Sequence, residues 1–349
     1  MLNKILAAYN INQATATVAP FGSGLINNTW LVKNGDHNYI LQRINHHIFK
    51  QPGLIATNIK NIAGYFASHH TDYFFVTPQT TNNGEEMLYQ PGEGYFRLFP
   101  FVQKSHTIDV VNTPEQACEA ATQFGRFTRL LSNFDINRLQ TTLPNFHNLN
   151  LRYQQFELAL QHGNNQRIKQ AAGAIDFLKS QKNIVDTYNH ICNNPDFKLR
   201  VTHHDTKISN VLFDDQDKGI CVIDLDTVMP GYFISDVGDM LRTYLSPVSE
   251  EEKDYTKIEI RNEYFKAIAS GYLSQMDEEL SSAEKNHFVY AGKFLIYMQA
   301  LRFLTDHLNN DAYYGAKYEG HNFIRANNQI VLLQKLMDKE AELTRLILQ

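Results

Sequence analysis

The sequence predicts an α+β chain in which a small antiparallel β lobe precedes a larger, mainly helical one. Three observations predict it. The first hundred residues alternate short apolar runs with turn signals, the pattern switches to helical spacing after about residue 105, and one polar β segment, 199–224, interrupts the helices. At 349 residues the chain exceeds the size at which a single core stops growing, so residues 1–104 read as one lobe and 105–349 as the other.

In the first lobe, Thr29 to Lys33 and Asn38 to Ile44 flank Asn34-Gly35-Asp36, a hairpin signal because these turn residues tolerate positive φ. Leu54, Ile55, Ile59, Ile62, Tyr65 and Phe66 recur at helical spacing within 53–69. Tyr73 to Thr77, Glu86 to Gln90 and Tyr95 to Val102 read as further strands, and 102–106 as the linker. In the second lobe Thr113-Pro114 opens a helix whose buried face is Ala117, Ala121, Phe124 and Leu131. Further helical stretches cover 151–192, 249–276 with Ser249 and Glu252 as a capping box, 281–308 and 322–347.

A net charge of -5 without a clustered Lys/Arg excess argues against a nucleic-acid partner. Cys118, Cys192 and Cys221 are odd in number and lack a C-x-x-C pair, which suits a reducing compartment and carries no zinc signature. The N-terminus has no cleavable signal pattern, and the most apolar segment, 288–304, is broken by Lys293, Gln299 and Arg302. The expectation is a cytoplasmic protein with no membrane span.

Chemistry concentrates in residues 199–231. His203-His204-Asp205-Thr206-Lys207-Ile208-Ser209-Asn210 has the H-x-D-x-K-x-x-N arrangement of a kinase catalytic loop, and a hairpin over 211–223 then delivers Asp224. Phosphoryl transfer needs a base at the attacking hydroxyl, oxygen ligands for magnesium and positive charge on the phosphates. Asp205 offers the base, Asn210 and Asp224 the hard oxygens that magnesium prefers, and Lys207 the charge. Strand alternation would set Asp226 on the face of Asp224, as a second metal ligand or equally as a plain turn residue. One of His203 and His204 is expected to buttress the loop by hydrogen bonding.

These residues resemble the aminoglycoside phosphotransferase and choline kinase superfamily, and within it the N-acetylhexosamine 1-kinases most closely. The segments that carry the resemblance are FGSGLINNTWLV (21–32), YILQRINHHIFKQP (39–52), YFRLFPFVQKSHTID (95–109), HHDTKISNVLFD (203–214), VIDLDTVMPGY (222–232) and RFLTDHLNNDAYY (302–314). The resemblance implies a protein-kinase-like bilobal fold, ATP and Mg2+ as cofactors, and phosphorylation of an N-acetylhexosamine, a small sugar, at its anomeric hydroxyl. It further implies a nucleotide loop at Gly22, Ser23 and Gly24, where a missing Cβ lets backbone approach phosphate, and an adenine-facing hinge from Phe99 to Val102.

One departure from the kinase pattern stands out. Protein kinases pair a strand lysine with a helix glutamate. Here the strand reads Tyr39-Ile40-Leu41-Gln42-Arg43, and no acid lies between Asn45 and Thr71. Either Gln42 or Arg43 would then contact phosphate, Arg43 being favoured for its charge, although alternation permits only one on the nucleotide face. For the acceptor, Arg302 interrupts an apolar helical face and joins Asn28, Arg97, Tyr313 and Tyr314 as candidates beside Asp205, with His147 and Arg152 as a lid. An aminoglycoside, choline or homoserine would fit the same catalytic core, and a non-catalytic nucleotide binder is the reading from another class.

Overall fold

A computed structural model describes residues 2–347 apart from Ser23 and Leu25, so the expected nucleotide contact of Ser23 lies outside the described residues. The chain begins with α1 (Leu2–Ala7), β1 (Thr17–Pro20), β2 (Asn28–Asn34), β3 (His37–Ile44), α2 (Pro52–His69), β4 (Leu88–Gln90) and β5 (Gly94–Pro100). The five strands form one antiparallel sheet in the order β1-β2-β3-β5-β4. The β2–β3 hairpin turns on Gly35 and Asp36, with Asn34 opposite His37, and Gly35 adopts the positive φ that glycine tolerates.

Alternation gives this sheet two unlike faces. One carries Val32, Leu41, Phe96 and Leu98, which pack with Ile5, Leu6, Tyr9 and Ile11 into a small core of their own. The other carries Thr29, Gln42 and Arg97, cross-strand neighbours in register. Tyr73 to Thr77 forms no strand, contrary to expectation. Its apolar side chains turn onto α2 instead, the rings of Tyr73 and Phe75 lying 4.7 and 5.1 Å from Phe66, so burial is satisfied without a ladder.

Beyond the linker come β6 (Ser105–His106), α3 (Pro114–Leu130), α4 (Leu149–His162), α5 (Asn165–Gln170), α6 (Ala172–Ser180) and α7 (Asn183–Asn193). Then follow β7 (Arg200–Thr202), β8 (Val211–Asp214), β9 (Gly219–Val222), β10 (Met229–Gly231), α8 (Phe233–Tyr244), α9 (Asn262–Met276), α10 (Ser282–Asn286), α11 (Phe288–Leu308), α12 (His321–Asp338) and α13 (Glu340–Ile347). Thr113 caps α3 as expected, its hydroxyl accepting the Gln116 amide. The expected helix over 249–276 starts only at Asn262. Ser249 and Glu252 spend their oxygens on the turn amides of residues 251, 253 and 254, and the capping box belongs to Ser281 and Glu284.

The large core is built by α3, α8, α9 and α11, and α2 contributes Ile55, Ile59, Ile62 and Phe66 to it. Helix α2 thus packs into the large core, whereas α1 packs on the sheet. Asn58 fixes α2 there. Fully buried, its amide donates to the carbonyls of Gln140 (2.8 Å) and Val228 (2.9 Å) and accepts the Gln140 N–H (2.7 Å). Among the described residues no helix is long and apolar enough to cross a membrane, and all three cysteines are free.

Helices α3 and α9 meet closely at Gly271, where a Cβ would stand 2.3 Å from the Cys118 carbonyl oxygen. Gly271→Ala should therefore cost about 1–3 kcal/mol by forcing backbone apart. Gly64→Ala, in exposed open space on α2, should add about 0.5–1 kcal/mol. Urea denaturation of both variants checks the pair.

Candidate active site

The loop that carries Asp205 is held by its backbone. The Asp236 carboxylate on α8 accepts the N–H of His203 (3.0 Å) and of His204 (2.7 Å), which keeps His204 at its left-handed φ of 67°. One turn on, Asp239 accepts the Thr206 N–H at 2.8 Å, the Thr206 hydroxyl donates to the Asp236 carbonyl, and Tyr244 donates to the Thr206 carbonyl at 2.5 Å. Both histidines act as struts. His203 Nε2 bonds the Ile223 carbonyl (2.9 Å) and His204 Nδ1 the Thr202 carbonyl (3.1 Å), and burial holds the His204 imidazole down at about 4, so it stays neutral.

Asp205 itself is partly open, with Lys207 Nζ 3.2 Å from its carboxylate. Asn210 donates its amide N–H to the Asp205 carbonyl (2.8 Å), which leaves its side-chain oxygen as the free end. Asp224 ends β9 in a left-handed conformation, φ 58°, and its carboxylate faces solvent with no hydrogen-bond or ion-pair partner among the described residues. Crowding by protein, then the charges of Asp226 and Asp205, push its carboxyl up from the ordinary range. Asn210 links the two stretches, its side chain bonded to the Asp205 carbonyl and its own carbonyl accepting the Ile223 N–H at 2.8 Å, next to Asp224. Among the described residues no group of three or more His, Cys, Asp or Glu is arranged to hold a metal. The two free oxygens of Asn210 and Asp224 nevertheless fit magnesium, which keeps water and phosphate as its other ligands.

Asp226 is a correction. Residues 225–227 form a 3₁₀ turn, so strand alternation does not apply, and the carboxylate is buried beside a cation. One oxygen lies 2.6 Å from Arg97 Nη1 and the other accepts the Asn27 amide at 2.8 Å. Arg97 is likewise taken out of the acceptor site. Only 1% exposed, it donates through Nε to Gln42 Oε1 (3.0 Å) and stacks 5.0 Å from the Phe99 ring. Arg43 and Asn28 point to the opposite face of the sheet, Arg43 3.7 Å from Glu93 and Asn28 exposed, so Gln42 is the one on the cleft side. Gly22 holds φ 77°, and neither it nor Gly24 has protein within 4 Å of a would-be Cβ. At the hinge, Phe101 donates its N–H to Asn38, while the Val102 carbonyl accepts the Ser105 hydroxyl (2.7 Å).

Away from the phosphate end, contacts run from the loop to the other acceptor candidates. The His147 ring meets His204 at 5.3 Å and stacks on Phe146 at 4.4 Å. The Arg302 guanidinium lies 5.9 Å from Phe146 and 5.4 Å from Tyr314. Arg302 bonds Gln299, and Arg152 bonds Gln155 and the carbonyls of Asn145 and Phe146; neither has a carboxylate partner among the described residues. Burial and then the Arg302 charge pull Arg152 below its ordinary range. The backbone N–H groups of Tyr313 and Tyr314 both end on the Asp306 carboxylate, at 2.7 and 2.9 Å; Tyr313 is 73% exposed, while Tyr314 packs on Phe303.

Sequence reading missed Asn27, Asp236 and Asp239. The last two had a visible signal, two acids three residues apart in the otherwise apolar helix FISDVGDML. Arg97→Met, which strands a buried Asp226, should cost about 3–5 kcal/mol, and adding Asp226→Asn should restore much of it. Equal and additive losses in urea denaturation would dissolve the pairing.

Comparison with known proteins follows from this geometry. The model of the phosphotransferase enzyme family matches residues 17–271. Among solved structures, an aminoglycoside phosphotransferase from Alicyclobacillus acidocaldarius subsp. acidocaldarius is 12% identical over 98% of this chain and 95% of its own, with TM-score 0.65. A microcompartment-associated aminopropanol kinase is 17% identical over 98% of both chains, TM-score 0.60. A choline/ethanolamine kinase family protein from Mesorhizobium loti is 16% identical over 99% of this chain and 98% of its own, also at 0.60. These likenesses carry the fold, and the matched family model covers most of the chain: the chain belongs to the phosphotransferase enzyme family.

Proposed function

We propose that this phosphotransferase moves the terminal phosphoryl group of ATP onto the anomeric hydroxyl of an N-acetylhexosamine. The observation that supports the acceptor assignment is the convergence of Arg152 and Arg302 on Phe146, Arg152 bonded to its carbonyl and Arg302 near its ring and that of Tyr314, with no carboxylate partner to either among the described residues. Guanidinium groups donate to hydroxyl and acyl oxygens, and ring faces accept the apolar faces of a pyranose. The same two charges repel a quaternary or primary ammonium, which disfavours choline and amino alcohols.

The chemistry follows from the loop. Asp205 orients the acceptor hydroxyl and takes its proton as the oxygen bonds to the γ-phosphorus, while the bond from that phosphorus to the bridging oxygen breaks and ADP departs. An anomeric hydroxyl is more acidic than an ordinary alcohol, which suits a carboxylate base. Lys207, beside Asp205, offsets charge on the transferring group. Asn210 and Asp224 would hold magnesium, which when bound neutralises the phosphates. The Gly22–Gly24 loop, Gln42 and the Phe99–Val102 hinge would receive the nucleotide. Free cysteines agree with a cytoplasmic setting.

A panel of N-acetylhexosamines, choline and an aminoglycoside with magnesium-ATP tests the assignment, with phosphorus NMR to locate the ester. Transfer to a primary carbon, or to choline in preference to sugar, would reject it. Asp205→Asn should retain nucleotide binding while turnover falls about 100- to 10,000-fold. Arg302→Met should raise acceptor KM about 10- to 100-fold and leave the KM for ATP unchanged.

A further inference from the structure

Behind the catalytic loop lies a chain of alternating charges that the chemistry above does not use. It starts at the Asp239 carboxylate, which holds the Thr206 N–H, next to Asp205. The other Asp239 oxygen takes a forked pair from Arg242, Nε at 3.2 Å and Nη2 at 2.9 Å. Arg242 Nη1 then reaches Glu250 Oε2 at 2.9 Å, and the second Glu250 oxygen accepts Arg325 Nη2. Arg325 lies flat on Phe303, 3.7 Å from the ring centre, and 5.4 Å from the ring of Tyr314. Its Nη1 donates to Asn322, whose amide in turn donates to Asp306, the residue that fixes the backbone of Tyr313 and Tyr314.

We infer that Glu250 is a positioning residue that ties the wall receiving the acceptor to the loop carrying Asp205. This rests on the acceptor reading given above. Three physical points support it. A largely buried network of ions contributes little net stability over apolar packing, because desolvation offsets the attraction, but it fixes geometry by permitting one arrangement of donors and acceptors. Among the described residues Glu250 is the sole acid that bonds both arginines, Glu251 reaching only Arg325 of the two, at 3.5 Å, and it lies on the irregular stretch between α8 and α9, so the helices bearing Arg242 and Arg325 are joined through it. The two ends are the parts whose relation matters, since displacement of a reacting group by about 1 Å costs on the order of 100-fold in rate.

The test uses the full-length protein with Glu250→Gln, which keeps the shape and one acceptor oxygen while removing the charge. In wild type and variant, amide hydrogen exchange is followed at Thr206, together with transfer to N-acetylglucosamine and N-acetylgalactosamine and ATP hydrolysis without acceptor. The inference expects Thr206 exchange at least about 10-fold faster in the ligand-free variant, with amides of β3 unchanged, since 1.4 kcal/mol is tenfold. It expects sugar-dependent kcat to fall about 10- to 100-fold, while nucleotide affinity and acceptor-free hydrolysis stay within about twofold. Unaltered exchange at Thr206, or transfer and hydrolysis falling in parallel, overturns it. Failure of the wild-type protein to phosphorylate either sugar rejects the acceptor reading instead, and the exchange result still decides whether Glu250 governs the loop.

Discussion

Arg97 and Asp226 meet where the β sheet faces the turn that bears Asp224, and much of the cleft is arranged around that meeting. A guanidinium and a carboxylate, both almost wholly buried, each cost several kcal/mol to remove from water. Their mutual attraction offsets part of this, and Gln42 and Asn27 add hydrogen bonds to Arg97 Nε and to the second Asp226 oxygen. Gln42 sits on the strand where protein kinases carry a lysine. In this chain the buried charge sits on the neighbouring strand, at Arg97, and faces an acid on the turn beyond Asp224.

Helix α2 carries no acid. In its place Asn58 docks the helix through three neutral hydrogen bonds to Gln140 and Val228, the latter two residues past Asp226. The helix and the sheet are therefore both registered against the same short stretch, 226–228, one by an amide and one by an ion pair. From below, α8 grips the catalytic loop through Asp236, Asp239 and Tyr244. The carboxylates of Asp205 and Asp224 take little part in these supports, which leaves their oxygens open, as the proposed chemistry requires.

The architecture was legible because it rests on periodicity: the β-rich start, the hairpin at Gly35, the cap at Thr113 and the switch to helices all appear in the chain as local signals. The chemical loop was legible for a related reason, since its spacing is imposed by backbone geometry within eight residues. What escaped reading depends on contacts between distant residues. Asp226 and Arg97 are 129 positions apart, and nothing local in either says that they face each other. Of the two readings of Asp226, the one from alternation carried the strand past its end at Val222, and the residue lies in a turn. Arg43 was favoured over Gln42 on charge alone, whereas the register with Phe96 and Arg97 assigns the faces. Tyr73 to Thr77 has strand composition, but a helix face was nearer than a free sheet edge.

The linker between the lobes is shorter than the sequence suggests. β5 ends at Pro100, and by Ser105 the chain already pairs with Asp214 on the hairpin that leads to Asp224. Only four residues intervene, one of them Lys104 at φ 56°. Rocking of the sheet would bend this quartet together with the connections that join α2 to β3 and β4. A purine seated along it would be held by peptide units that bend in such a motion, which would couple discharge of spent nucleotide to widening of the crevice.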